Sequence, residues 1–235
     1  MGIQGLWPIL KPIASTQDFA EYALEHGFIK RYHKSRTFDL GIDSSVLLDS
    51  FRAAAWSRQR GRLHGPDTSL TQLFRILCQL SRASANCIFV YDGDGRPPRK
   101  HGRQVIKRSP MLYEQSKRLV EAFGFHVHVA AGEAEAELAV MNRLGVIHAV
   151  LTKDSDVFPY GAQLVLRVNS DACTATNLVV DVYDSQIIEQ RLGLTRSGFL
   201  LFALLVGNDI DAGISGLGPQ TALALAKCGY WRYSP

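Results

Sequence analysis

The chain has 235 residues, 46% of them hydrophobic, and a formal net charge of +4, enough apolar material for one large domain or a domain with a small appendage. Its four cysteines (Cys78, Cys87, Cys173, Cys228) show no CxxC spacing, which excludes a disulfide frame or a cysteine zinc site and fits reduced thiols. No apolar run reaches membrane-spanning length, MGIQGLWPILKPIAS lacks the basic and apolar blocks of a secretory signal, and the myristoylation pattern begun by Gly2 fails at Leu6, so a soluble cytosolic or nuclear chain is expected.

In chain order, FDLGID, Phe38 to Asp43, is a short apolar run that predicts a buried strand, and a helix is expected from Ser44 to Trp56. SLTQLFRILCQLSR, Ser69 to Arg82, has apolar residues at helical spacing, and CIFVYD, Cys87 to Asp92, predicts a second strand. A helix from Leu112 to Phe123, the strand FHVHVA, a helix carrying GEAEAELAVM and the strand HAVLT follow. QLVLRV and LVVDVY add strands, and from Ser185 the chain is helical. There is no internal repeat and no low-complexity linker. The alternation predicts an α/β fold, a parallel sheet with helices on both faces.

Ligands bind such sheets beyond the carboxyl ends of the strands. FDLGID ends on Asp43, CIFVYD ends on Asp92, and HAVLT runs into KDSD, giving Asp154 and Asp156. One such aspartate is ordinarily a helix cap or turn residue; three strands delivering them to one edge point to a shared site. Gly132 is expected to cap the helix after FHVHVA, which leaves Glu133 and Glu135 in its first turn at that same edge and Glu137 one turn further into solvent. Crowded carboxylates raise one another's pKa values and stay ionised only beside positive charge. An all-oxygen donor set selects Mg²⁺ or Mn²⁺ over zinc, and a cluster this large implies two ions, the arrangement that serves phosphodiester hydrolysis.

Basic residues are grouped apart from these acids. Arg52, Arg58, Arg60 and Arg62 lie between Asp49 and Asp67, and RPPRKHGRQVIKR, Arg96 to Arg108, holds six Lys or Arg and no acid. Such runs are either solvated surface or the footprint of a polyanion. GISGLGP, Gly213 to Pro219, is a glycine-rich turn opening a helix, with Pro219 at a helix-starting position and Asp209 just before it. Its backbone N–H groups could hold phosphate; the plain alternative is a helix–turn–helix hairpin.

The order of MGIQGLWPIL, FDLGIDSS, FVYDGDGRPP, AAGEAEAELA, LTKDSDVFPYGA and LLVGNDIDAGISGLGPQTA resembles the flap-endonuclease/XPG superfamily of structure-selective 5′ nucleases, from Met1 to about Gly229. Within it, GLWPIL and DVFPYGAQLVLR are most similar to the Holliday-junction resolvase branch and related fungal PIN-like proteins. The resemblance implies a PIN-like core over residues 1–184 and a helical helix–two-turn–helix segment over 185–235. It implies a two-metal Mg²⁺ site, with Mn²⁺ as a substitute, on Asp43, Asp92, Glu133, Glu135, Asp154, Asp156 and Asp209. Asp94 fits the second-strand motif by its spacing to Pro97 and Pro98, and Asp92 by its place at the strand end; Asp92 is preferred on that ground. Arg108 matches the arginine with which the family's arch reaches the scissile phosphate; at the lysine one turn earlier the aligned residue is His101, with Lys100 beside it. Gly2, Gly213, Gly216, Gly218, Gln220 and Thr221 are the implied DNA contacts, with K⁺ at the glycine-rich hairpin.

Two departures stand out. The stretch from Asp92 to Glu133 is short, so a flap-threading arch is expected to be reduced or absent, which favours open junctions. Asp49 replaces the aromatic expected six residues after the first aspartate, and Ile210 replaces a tyrosine after the last. The leading expectation is a Mg²⁺-dependent endonuclease for branched or flapped DNA in repair or recombination, nuclear, acting without a membrane, with dimerisation on a junction left open. The alternatives are a non-catalytic nucleic-acid-binding relative and a PIN-type ribonuclease; a phosphatase reading of DGDGR ranks last, since no Thr follows the motif.

Overall fold

The computed structural model describes residues 2–29, 37–58, 68–96, 99–100, 103–104, 110–209 and 211–228. The chain runs α1 (Leu6–Leu10), β1 (Ser15–Asp18), α2 (Phe19–Leu24), β2 (Phe38–Asp43), α3 (Ser44–Arg58), α4 (Ser69–Leu80) and β3 (Ala85–Tyr91). The small ribbon β4 (Arg99–Lys100) and β5 (Arg103–Gln104) leads to α5 (Pro110–Ala122), β6 (His126–Val129), α6 (Ala134–Arg143) and β7 (Ala149–Leu151). Then come α7 (Val157–Tyr160), β8 (Leu164–Val168), β9 (Val179–Asp184), α8 (Ser185–Leu192), α9 (Arg196–Val206) and α10 (Pro219–Lys227). Among the described residues no helix is long and apolar enough to cross a membrane.

Seven strands form one sheet in the order β1-β9-β8-β7-β2-β3-β6. The five strands from β8 to β6 are parallel, as the alternation of elements predicts. β9 and β1 extend the sheet antiparallel at one edge, so the sheet as a whole is mixed. β1, STQD, has no apolar alternation and is half-exposed at that edge, which is why no strand is readable there.

Successive strand residues face opposite sides, and two hydrophobic clusters result. Val90, Val150 and Val165 point into one with α1, α6, α9 and α10. Phe89, Leu151 and Leu166 point into the other with α2, α3, α4 and α5. The helices after Ser185 therefore share a core with the sheet. Gly41 lets α6 settle on β2, since a Cβ there would meet Leu138 Cδ2 at 2.5 Å. Leu138 is fully buried in that contact. Leu138→Ala is expected to lower unfolding free energy by about 3 kcal/mol, measurable as a shifted urea midpoint with unchanged slope.

The strand order reverses at β2: β3 and β6 follow on one side, β7 and β8 return on the other. The crevice beyond the carboxyl ends of β2 and β7 is the switch point where open α/β sheets bind ligands.

Candidate functional site

Asp43 closes β2 at that switch point and is 1% exposed. Its Oδ1 accepts the Val46 N–H at 3.0 Å, capping α3, and its Oδ2 accepts the Thr152 hydroxyl at 3.1 Å. Burial pushes the Asp43 carboxyl up from 3.8 to about 7; the Val46 hydrogen bond opposes this, and the charges of Asp92 and Asp154 add to it. Thr152, which bonds the Asp43 carboxylate and accepts the Asp154 N–H at 3.0 Å, and the parallel register of β2 with β3 and β7 bring aspartates from three strand ends to one edge.

Asp92 follows β3 directly, its N–H held by Ser45 Oγ at 3.1 Å. Its Oδ1 accepts the Ala134 N–H at 2.9 Å, and Arg96 approaches Oδ2 at 3.5 Å. Asp94 lies in the following turn and is exposed. The geometry favours Asp92 as the inward carboxylate of the pair.

The start of α6 differs from the expected cap. Glu133, not Gly132, is the N-cap residue, extended at φ −83 and ψ 136, and its own side chain makes no capping bond. The capping acceptor is Asp92 from the neighbouring strand. The reason is a clasp between loops: Gly93 donates to Gly132 O at 2.8 Å and Gly95 to Ala131 O at 3.0 Å, so the chain enters α6 extended. Glu135 then falls in the first turn, 5% exposed. Glu137 also falls in the first turn, not one turn further as expected, but its side chain meets His128 at 3.2 Å.

Asp154 is fully buried after β7. Its N–H donates to Thr152 Oγ1 at 3.0 Å, and its Oδ1 accepts the Asp156 N–H at 3.1 Å. Asp156 is the N-cap residue of α7. Gly2 packs so closely on Asp154 that a Cβ would collide with its carboxylate, and the Gly2 N–H reaches Asp209 Oδ1 at 3.4 Å. The chain start thus stands in the carboxylate cluster, between two of the expected ligands.

Thr152 and Ser45 are the residues that pattern reading passed over. Each orients an aspartate without being one; the only signal was a hydroxyl two residues from Asp154 or Asp43. Among the described residues, no three His, Cys, Asp or Glu side chains already converge as a cage for one ion. Mg²⁺ ordinarily takes one or two carboxylates and completes its shell with water and substrate phosphate, so an open, all-carboxylate edge suits it. Asp43, raised by burial and by the negative charges beside it, presents the electrostatic condition that a divalent cation relieves.

Beyond α9 lies the glycine-rich hairpin. Gly213 and Gly216 are left-handed at φ 74 and 81, and Gly218 is the N-cap residue of α10 with Pro219 in its first turn. Ile214 N–H returns to Leu205 O at 2.8 Å, which ties the turn to α9. Gly216, Gly218, Gln220 and Thr221 are exposed at its tip. Lys100 lies on β4; Arg108, His101 and Ile210 lie outside the described residues.

Residues 1–110 match the XPG N-terminal domain and residues 124–209 the XPG I-region. The chain is 31% identical over 258 residues to Flap endonuclease GEN-like 1 of Oryza sativa subsp. japonica, over 97% of this chain and 38% of that relative. It superposes with TM-score 0.73 and 28% identity on the Holliday junction-resolving enzyme GEN1 in complex with product DNA and a Mg²⁺ ion, over 99% of this chain and 52% of that one. A eukaryotic junction-resolving enzyme GEN-1 binding with potassium gives TM-score 0.73 at 27% identity, over 98% and 51%. The chain therefore spans about half the length of these structures, and less of the rice relative.

Proposed function

The chain belongs to the XPG superfamily of flap endonucleases and junction-resolving nucleases, and from that premise we propose that it is a Mg²⁺-dependent, structure-selective endonuclease for branched DNA. The observation that carries the reading is the placement of Asp43, Asp92 and Asp154 after three neighbouring parallel strands, at one switch point. A module that only bound nucleic acid would gain nothing from buried acids that repel phosphate.

Asp43, Asp92, Glu133, Glu135, Asp154, Asp156 and Asp209 would hold the divalent ions. Two Mg²⁺ ions held there, or Mn²⁺ in their place, would lower the pKa of a bound water and offset charge on the phosphate, the chemistry that phosphodiester hydrolysis needs. Thr152 holds the Asp43 carboxylate and Ser45 the Asp92 backbone before substrate arrives. Arg108 and Lys100 are the proposed cations for charge developing on the phosphate. The exposed hairpin N–H groups and the start of α10 would grip duplex phosphates, with Gln220 and Thr221 beside them and K⁺ at the turn. Repair or recombination in the nucleus is the setting this chemistry fits. Two copies on one four-way junction would make the paired incisions that resolve it.

The test is cleavage of end-labelled 5′-flap, four-way-junction and single-stranded RNA substrates in Mg²⁺ or EDTA. Asp154→Ala protein, purified in parallel, controls for contaminating nuclease. Metal-dependent cutting of branched DNA by wild type alone is the expected result. Cutting of RNA alone would move the chain to the ribonucleases. Tight DNA binding without cutting would leave a binding protein with an inherited acid cluster.

A further inference from the structure

The N-terminal segment makes a series of contacts that neither the carboxylate cluster nor the hairpin requires by itself. Ile3 N–H donates to Ser155 Oγ at 2.8 Å in a buried bond, and Trp7 Nε1–H donates to the backbone carbonyl of Lys153 at 3.0 Å. These two bonds hold the loop on either side of Asp154, which is fully buried between them. Trp7 is itself fixed: the Arg167 guanidinium lies 4.6 Å over its ring, and Tyr183 packs at 5.1 Å.

The same few residues also touch the hairpin. Gln4 N–H reaches Gly207 O at 3.4 Å, at the exit from α9. Gly5, left-handed at φ 76, lies so near Pro219 that an added Cβ would be 2.6 Å from Pro219 Cγ, at the start of α10.

We infer that residues 2–7 are a strut that sets the Asp154 loop against the hairpin, with Trp7 and Ser155 as positioning residues for divalent-metal binding. The inference rests on the metal site proposed above. Each side chain bonds backbone, Trp7 the Lys153 carbonyl and Ser155 the Ile3 N–H. Each fixes the backbone from which Asp154 projects, and a carboxylate displaced by a fraction of an ångström binds metal more weakly.

The test reads Mn²⁺ binding directly, as free Mn²⁺ by room-temperature electron paramagnetic resonance, on wild type, Trp7→Phe and Ser155→Ala. Trp7→Phe keeps an aromatic ring and removes the donor; Ser155→Ala removes the acceptor. Leu77→Val, in the core on the opposite face of the sheet, is the control for lost stability without a displaced loop. The strut predicts Mn²⁺ affinity about tenfold weaker in both loop variants and within about twofold of wild type in the control. On branched DNA, kcat should fall while KM for DNA stays within about twofold of wild type. Wild-type Mn²⁺ affinity in both loop variants would overturn the strut and leave the nuclease proposal standing. Weakened Mn²⁺ binding in a protein that cuts nothing would uphold the strut and sink the nuclease. No Mn²⁺ binding by wild type would overturn both.

Discussion

Asp43→Asn should abolish cleavage and at the same time make the metal-free protein more stable at pH 8. The folded protein holds the Asp43 proton up to about pH 7, mainly because the carboxyl is buried, whereas the unfolded chain releases it near 3.8. Between those values the folded state carries the extra proton, so Asp43's contribution to stability falls as pH rises through the window. A displacement of that size corresponds to at most about 4 kcal/mol of destabilisation by the time the group is ionised. Asparagine is isosteric and never ionises. Its oxygen can accept the Val46 N–H, and its amide can donate to the Thr152 oxygen, so both contacts can form, the second with donor and acceptor exchanged and the Thr152 proton turned away. Urea titrations in EDTA should show wild type losing stability from pH 4.5 to pH 8 more steeply than the variant, with the variant the more stable at pH 8. Adding Mg²⁺ at pH 8 should stabilise wild type by mass action and leave the variant nearly unmoved. Cleavage should fall by about a thousandfold or more, since a metal ligand is lost. A variant less stable than wild type at pH 8 would show that Asp43 is not a strained anion, and with it the electrostatic argument for metal would fail.

Much of the fold and of the site is legible in the sequence, and the boundary follows from physics. FDLGID is a strand with the bounds its apolar run predicts, Phe38–Asp43, because a parallel strand covered on both faces must be apolar throughout. Its terminal aspartate then has only the strand end to occupy. The left-handed glycines of GISGLGP could be read as a turn for the same local reason. What stayed hidden is non-local. STQD pairs with β9 through its backbone and a polar Thr16–Asp181 bond, so no apolar alternation marks it as a strand. The cap of α6 comes from Asp92, forty-two positions away in sequence, and local cap rules point to Gly132 instead. Likewise Gly2, Asp154 and Asp209 meet only because the chain start folds back between β7 and α9.

The hairpin offers a second large effect, and its two left-handed glycines separate fold from function. Gly213→Ala should cost about 3 kcal/mol or more, because two penalties coincide. The residue sits at φ 74, where an L side chain is strained by about 1 kcal/mol. Its Cβ would also collide with Gly207 N and lie 2.5 Å from Val206 C and 2.8 Å from Leu205 O. Those are backbone atoms at the end of α9 and cannot swing aside as a side-chain tip could. The turn must open, the Ile214–Leu205 bond at 2.8 Å must lengthen, and α10 loses its seat. Thermal unfolding should register this as a clearly lowered midpoint, accompanied by weaker duplex binding. Gly216→Ala meets a different environment: φ 81, but nothing within 4 Å of the added carbon. It should cost only the backbone strain, about 1 kcal/mol, and leave the midpoint nearly in place. If the exposed turn is where a phosphate approaches, that methyl group stands in its path. Duplex affinity, measured by fluorescence anisotropy in EDTA, should then fall about tenfold, equivalent to about 1.4 kcal/mol, with a shallower salt dependence. Gly216→Ala protein that is stable and binds duplex as wild type does would remove the hairpin from the DNA interface. In that case Gly213 would be conformationally necessary to the fold alone.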